Sequence, residues 1–329
     1  MKIAVLMGGT SAERDVSLAS GVRVAEALRL RGHEVILIDT VVGRLGPTEE
    51  AALLAGGVLK SVPPDVHTLA RLDRQLPTEV SALPDVDAVF LALHGGRGED
   101  GTVQALLDLA GVPYTGSGHL ASALAMDKDL SKRLFRQAGV PTPEWMMSPV
   151  TARAVEGVFG FPCVVKPSKQ GSTVGLTLVR GANELPAALE HAREYDDEVM
   201  VEQFIPGREL TVGILGERAL PVGEIIPVHE IYDYECKYTP GMAREVFPAA
   251  LAGDESSRVQ ALAVRAFVAL KLRGYARIDF RMSPSGEFFC LEANTLPGMT
   301  ELSLIPQAAA AAQISFPDLC ERIVELALP

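Results

Sequence analysis

Basic residues are in short supply: 30 Lys and Arg stand against 42 Asp and Glu, a formal net charge of −12 over 329 residues. A chain that coats a polyanion needs the opposite balance, so DNA and RNA are excluded as bulk partners. Any anionic ligand must be held by a local set of Lys, Arg and backbone N–H groups. Cysteine is scarce too. Cys163, Cys236, Cys290 and Cys320 show neither CxxC nor metal-ligand spacing. This argues against a disulfide framework or zinc site and reads as reduced, buried thiols of a cytoplasmic protein. No apolar run approaches the ~18 residues of a membrane span. Met1–Gly9 is too short and lacks the cleavage site of a signal peptide, so it reads as a buried first strand. No GxGxxG follows that strand, and the glycine loop after Lys166 does not match GxxxxGK[ST], so neither standard nucleotide fingerprint applies.

What is present is ample core material. At 48% hydrophobic residues the chain is not disordered, and its length suits about two domains at the loose prior of ~150 residues each. A strand over 2–7, a turn at Gly8–Ser11, a helix with Leu18, Val22, Ala25 and Leu28 on one face, and a strand over 34–38 form a β-α-β pattern. Such alternation predicts a parallel sheet. Residues 41–82 carry no sharp motif. A strand over 88–93 runs into His94–Gly101, where Asp100 is placed to cap a helix ending at Gly111. Tyr114–Gly118 is a plausible boundary, followed by helical patterns over 119–125 and 128–138. From about 161 short strands and hairpin turns replace the alternation, which predicts an α+β region; Ser315–Asp318 then caps a last helix through Leu326.

The most specific chemistry lies in Tyr275–Met282 and Glu287–Asn294, two alternating runs separated by Ser283-Pro284-Ser285-Gly286. They predict a β-hairpin. With Pro284 and Ser285 as the central loop residues, Arg277 sits opposite Glu292 and Asp279 opposite Cys290. Arg277, Asp279, Glu292 and Asn294 then share one face, and Ala276, Ile278, Phe280, Phe289 and Leu291 the other. Two carboxylates and an amide oxygen beside an arginine suit Mg²⁺; a surface ion-pair ladder has the same pattern.

Upstream, the strand Pro162–Pro167 ends at Lys166 and leads into the loop Ser168–Gly175, which could fold over phosphates or be an ordinary hairpin turn. Glu198–Ile205 alternates apolar residues with carboxylates, as a strand framing an adenine or an edge strand would. Ile231–Gly241 is crowded with tyrosines and fits either a lid or an aromatic-anchored loop.

In this order the pieces resemble the ATP-grasp ligases, and within them the D-alanine–D-alanine ligases. The resemblance rests on Gly8–Ser17, Ala92–Gly95, Tyr114–Gly118, Met126–Lys128, the loop 166–175, Lys237-Tyr238, Arg277–Asp279 and Glu292–Thr300. It spans nearly the whole chain, with 41–82 its weakest stretch. It implies a three-domain fold, α/β and α+β, in which an N-terminal parallel α/β domain (1–116) precedes a central ATP-grasp domain (117–202) and a C-terminal catalytic domain (203–329). ATP would sit between the last two.

The same resemblance implies that one D-alanine carboxylate attacks the γ-phosphate of ATP, and that the amine of a second D-alanine displaces phosphate from the acyl phosphate. The dipeptide would serve peptidoglycan precursor synthesis. Lys128 and Lys166 would neutralise phosphate charge, with two Mg²⁺, exchangeable with Mn²⁺, on Asp279, Glu292 and Asn294. Arg277 and the Gly298 N–H would stabilise the acyl oxyanion. Glu13 would pair with the first ammonium, with His94 nearby and Ser172 and Tyr238 linking to Glu13. Ser303 and Leu304 would bind the second carboxylate. Glu202 would meet the adenine amino group, with Phe204 and Ile205 beside the ring and Glu209 on the ribose. Lys237 with Tyr238 favours D-alanine over D-lactate or D-serine as second substrate. Cys236, Gln203 and the Arg208-Glu209 flank depart from the family's usual residues, and none removes a catalytic group. A homodimer is expected by resemblance alone, with no membrane or nucleic-acid partner. The rivals are a ligase of the same fold with another acceptor, and a non-catalytic nucleotide sensor. Such a sensor is expected to have lost Asp279, Glu292 or Asn294. A dehydrogenase is disfavoured by the missing dinucleotide fingerprint.

Overall fold

The computed structural model describes residues 1–56, 83, 85–232, 236, 239 and 241–328. Strand β1 (Lys2–Met7) is buried from Ile3 onward, as a strand covered on both faces must be. It pairs in parallel with β2 (Glu34–Asp39) on one side and β4 (Ala88–Leu91) on the other, and the two-residue β3 (Gly43–Arg44) lies antiparallel on β2. The crossover is α1 (Arg14–Leu30), which buries Val22, Ala25 and Leu28 while Leu18 is half-buried. Helix α2 (Pro47–Gly56) follows; the rest of the motif-poor stretch, 57–82, lies outside the described residues. Beyond β4, the short α3 (Gly96–Glu99) leads to α4 (Thr102–Ala110). The Asp100 carboxylate accepts the Thr102 N–H at 2.9 Å, so it serves the helix start although Gly101 holds the cap position.

Helices α5 (His119–Met126) and α6 (Lys128–Gln137) come next, with the Asp127 side chain accepting the Leu130 N–H to cap α6. An antiparallel sheet then takes β5 (Trp145–Met147), β6 (Cys163–Pro167), β7 (Thr177–Val179) and β8 (Val199–Gln203) in the order β5-β8-β6-β7. Helices α7 (Ala152–Val158) and α8 (Leu185–Arg193) cover it. Strands β9 (Arg208–Leu215), β10 (Arg218–Ala219), β11 (Gly223–Pro227), β12 (Ala243–Val246), β13 (Tyr275–Met282) and β14 (Phe288–Asn294) form the third sheet. Its order is β12-β11-β9-β13-β14, with β10 on β9. Helices α9 (Gly253–Ala269), α10 (Leu304–Ala311) and α11 (Phe316–Glu325) complete the chain, the last capped by Ser315.

The β13–β14 hairpin corrects the expected pairing. Ser283 closes on Glu287 (N–H to O, 2.9 Å), so the loop holds three residues, and Gly286 takes the left-handed φ of +82° that such a loop demands. A second irregularity follows: Phe280 faces Cys290 but Asp279 faces Glu292, leaving Leu291 as a bulge. Arg277 therefore lies opposite Asn294, and Asp279 opposite Glu292. The four polar residues still share a face, because both errors together move the register by an even number. Phe289 and Leu291 do not join the core face as expected. Phe288, Cys290 and Ala293 take that place against Ile278 and Phe280.

Packing groups the sheets unequally. The first sheet shares its core with Tyr275, Ile305, Ala308, Ile323 and Val324 from the C-terminal part. The third sheet buries Ile278 and Phe280 with Ala121, Ala125 and Phe135 of α5 and α6. The second sheet has a core of its own, built from Val155, Val165, Leu185, Val201 and neighbours. All four cysteines are free and buried, and among the described residues no helix is long and apolar enough to cross a membrane.

Candidate active site

Two connected chambers open where the three sheets meet. The larger, about 570 Å³, is bounded by Glu13, His94, Glu99, Asn294, Gly298 and Ser303. The smaller, about 130 Å³, is bounded by Lys166, Glu202, Phe204, Ile205, Glu209, Asp279 and Arg281. Lys128, Ser172, Arg277, Glu292 and Leu304 line both. The structure thus gathers sixteen of the eighteen expected site residues around one cleft; Lys237 and Tyr238 lie outside the described residues.

Glu13 sits at the cap position of α1, where the turn after β1 delivers it to the mouth of the larger chamber. Its own N–H is held by the Ser11 hydroxyl at 3.1 Å. Its carboxylate accepts a hydrogen bond from the Ser172 hydroxyl, which reaches across from the loop between β6 and β7. Ser172 and Thr173 both adopt left-handed φ, +49° and +63°. Two such non-glycine residues in succession store strain of the kind that clusters at ligand clamps.

His94 is fixed by an unambiguous pair of contacts. Its Nδ1 lies 2.7 Å from the Leu296 carbonyl, which can only accept, so Nδ1 carries the proton and Nε2 accepts the Ser20 hydroxyl at 3.0 Å. Ser20 in turn accepts the Met299 N–H at 3.1 Å. Burial lowers the pKa of this ring, favouring the neutral form. Glu99 accepts the N–H groups of Thr295 and Leu296 at 3.0 Å each and of Gly95 at 3.1 Å. Burial and the nearby Glu13 raise its pKa. Together these contacts pin the segment 295–299 to the first sheet.

The polar face of the β13–β14 hairpin is the junction of the chambers. Asp279 receives the Thr211 hydroxyl at 2.7 Å, Arg277 Nε at 2.9 Å and Nη2 at 2.8 Å, and the Asn294 amide at 2.9 Å. Burial opposes the Arg277 charge, but Asp279 outweighs it and raises the pKa, so the guanidinium stays charged. Glu292 lies 3.3 Å from Lys128 Nζ, which also donates to the Gln170 carbonyl at 2.7 Å.

In the smaller chamber Glu202 is held from both sides, by Lys166 at 2.7 Å and by Lys132 at 2.5 Å, and these charges pull its pKa down against the effect of burial. Arg281 donates to the Ile205 carbonyl at 3.0 Å and to Glu209 at 3.2 Å, with its guanidinium 5.6 Å from the Phe204 ring. On the other side of the cleft, the Ser303 hydroxyl pairs with Thr300 at 2.8 Å and caps the start of α10 by position. A Cβ on Gly298 would stand 2.8 Å from that hydroxyl, so only glycine allows this close approach. Ser303 and Leu304 present a helix N-terminus, where free N–H groups favour a carboxylate.

Sequence reasoning missed Ser20, Glu99, Lys132, Thr211 and Arg281. Arg281 had a signal, since it follows Arg277 and Asp279 at strand spacing; Lys132 lies one helical turn after Lys128 on α6. The others needed the tertiary structure.

Among the described residues no three His, Cys, Asp or Glu side chains gather as a metal site. The oxygen set of Asp279, Glu292 and Asn294 nevertheless fits Mg²⁺, which keeps several waters and takes one or two carboxylates plus substrate phosphates. Asn294 gives its NH₂ to Asp279, so the amide oxygen is the atom that would face a cation.

The fold and the sequence are those of a known family. Residues 2–117 match the family described as D-ala D-ala ligase N-terminus, and residues 134–325 that described as D-ala D-ala ligase C-terminus. A D-alanine–D-alanine ligase of Geobacter sulfurreducens is 44% identical over 326 residues, covering 98% of this chain and 93% of its own. Among solved structures, the VanG D-Ala:D-Ser ligase of Enterococcus faecalis superposes with a TM-score of 0.82 at 31% identity, covering 100% of this chain and 99% of its own. The D-alanine–D-alanine ligase of Bacillus anthracis complexed with ATP gives 0.76 at 32% identity, covering 99% and 96%.

Proposed function

Because this chain belongs to the D-alanine–D-alanine ligase family and has its ATP-grasp fold, we propose that it joins two D-alanines into D-alanyl-D-alanine, with ATP hydrolysed to ADP and phosphate. The observation that carries the reading is the meeting of two chambers at Lys128, Arg277 and Glu292. A carboxylate in the larger chamber and a nucleotide in the smaller would face each other there.

In the first step a D-alanine carboxylate oxygen attacks the γ-phosphorus and ADP departs, leaving D-alanyl phosphate. In the second, the amine of another D-alanine attacks the acyl carbon, and phosphate leaves as the peptide bond forms. Glu13, oriented by Ser172, holds the first ammonium. Neutral His94 and Glu99 keep the wall of that subsite in place through Leu296 and Met299. Arg277, itself aimed by Asp279, and the Gly298 N–H take the developing oxyanion. Ser303 and the N-terminus of α10 take the second carboxylate. Lys128 and Lys166 steady the phosphates, and the base lies by Glu202, Phe204 and Ile205 with the ribose toward Glu209. Mg²⁺ on Asp279, Glu292 and Asn294 would supply charge neutralisation of the transferring phosphoryl group. The division into 1–116, 117–202 and 203–329 remains part of this reading, as do the cytoplasmic setting, the homodimer and the role in peptidoglycan precursor synthesis. That division assigns α5 and α6 to the central unit, although their apolar residues pack with the third sheet.

The test is phosphate release. It should require ATP, Mg²⁺ and D-alanine together; release indifferent to D-alanine would sink the substrate assignment. The similarity to a D-Ala:D-Ser ligase supports a second reading, with D-serine as acceptor. Competition among D-alanine, D-serine and D-lactate, with products weighed by mass spectrometry, decides between them. We expect D-alanyl-D-alanine to dominate.

A further inference from the structure

Lys132 lies behind the smaller chamber and lines neither cavity, yet its ammonium is completely enclosed: its side chain is 0% exposed, against 10% for Lys166. An ammonium withdrawn from water persists only with close partners. Lys132 has three: Glu202 at 2.5 Å, the Thr142 hydroxyl at 2.6 Å, and the Trp145 ring with its centroid 5.2 Å away. Thr142 is itself fixed, because its hydroxyl donates to the Cys290 carbonyl at 2.7 Å. The Glu202 carboxylate thus divides its oxygens, Oε1 to the enclosed lysine and Oε2 to the one at the cavity wall.

We propose that Lys132 is a positioning residue for the nucleotide: it remains on Glu202 as a permanent counter-ion, so that Lys166 is free to leave for the phosphates. Were Lys166 the sole partner, its departure would strand a buried carboxylate, and that cost would be subtracted from nucleotide binding. With Lys132 in place, Glu202 keeps its charge and its orientation toward the base while Lys166 exchanges one anion for another. The proposal rests on the reading that a nucleoside triphosphate occupies the smaller chamber.

The test is calorimetric binding of ATP and GTP to the full chain with no D-alanine present. Lys132→Met, close in volume, should bind ATP roughly tenfold more weakly, and its preference for ATP over GTP should shrink by a similar factor. Thr142→Val, which removes an anchor but leaves the charge pair, should weaken ATP about threefold. In the Glu202→Gln background the Lys132→Met change should cost nothing further, whereas a merely structural role would add its full loss. ATP affinity within twofold of wild type in Lys132→Met overturns the proposal, and so does additivity with Glu202→Gln. Should Lys132→Met fail to fold, unchanged ATP affinity in Thr142→Val overturns it equally. If ATP binds as expected and no dipeptide forms with D-alanine, the proposed activity fails and this inference stands.

Discussion

Ser172 donates its hydroxyl to the carboxylate of Glu13, a residue 159 positions earlier in the chain, and so fastens the loop between β6 and β7 to the cap position of α1. Both residues line the larger chamber, so the contact spans its wall. It also aims the carboxylate that we assign to the first substrate's ammonium. Removing a hydrogen bond to a charged group costs about 1.5–3 kcal/mol. Ser172→Ala should therefore raise the KM for the first D-alanine by roughly tenfold or more, with the KM for ATP changed less. Steady-state kinetics with each substrate varied in turn checks this.

Arg277 meets Asp279 through both Nε and Nη2. A lysine cannot reproduce that fork, and its ammonium would sit elsewhere. Arg277→Lys should lower kcat on the order of 100-fold, the scale of losing one oxyanion donor, while ATP binding falls far less. Pre-steady-state measurement of acyl phosphate formation against dipeptide release would locate the affected step; an unchanged kcat would contradict the role.

Glu292 faces Asp279 across the hairpin and pairs with Lys128 at its rim. Glu292→Gln keeps the shape but removes the charge. Turnover at saturating Mg²⁺ should disappear. The pair joins a partly buried carboxylate to a buried ammonium that keeps its bond to the Gln170 carbonyl, so the fold should survive with a loss of about 1–3 kcal/mol. Denaturant titration alongside the activity assay separates the two effects.

His94 carries a pH prediction with a definite sign. Burial holds its pKa below the ordinary value. The unfolded chain takes up a proton near pH 6.5 while the folded chain does not. The stability that the neutral ring supplies is present above that pH and is lost as the pH falls beneath it. The melting temperature should therefore fall more steeply on acidification from pH 7 in the wild type than in His94→Gln. Parallel slopes would show that His94 does not contribute.

Much of the architecture was legible because the informative patterns are local. The buried run of β1, the stripe of α1 and the strand β2 dictate a parallel pair whatever follows. Strand parity joined Arg277 with Asp279 and Glu292 with Asn294, and all four share one face because the longer turn and the bulge cancel in their effect on the register. The exact register was not legible. It depends on Gly286 lengthening the turn and on Leu291 bulging out, two backbone events that leave no clear mark in an alternating sequence. Glu99, Ser20 and Thr211 were illegible for another reason. Each acts on a partner far along the chain, Glu99 on Leu296 and Thr211 on Asp279, and no single-segment pattern encodes such pairs.

The unequal sharing of cores has a consequence for traffic through the cleft. The wall formed by His94, Glu99, Leu296 and Met299 joins two parts of the chain that bury their apolar residues in common, so parting them would expose a shared core. The opposite wall, with Lys166 and the Ser172 loop, belongs to the sheet whose core stands alone. Tipping that sheet separates polar contacts without tearing open an apolar interior, which is the cheaper motion by far. The side of residues 168–175 is accordingly where the cleft can open at least cost.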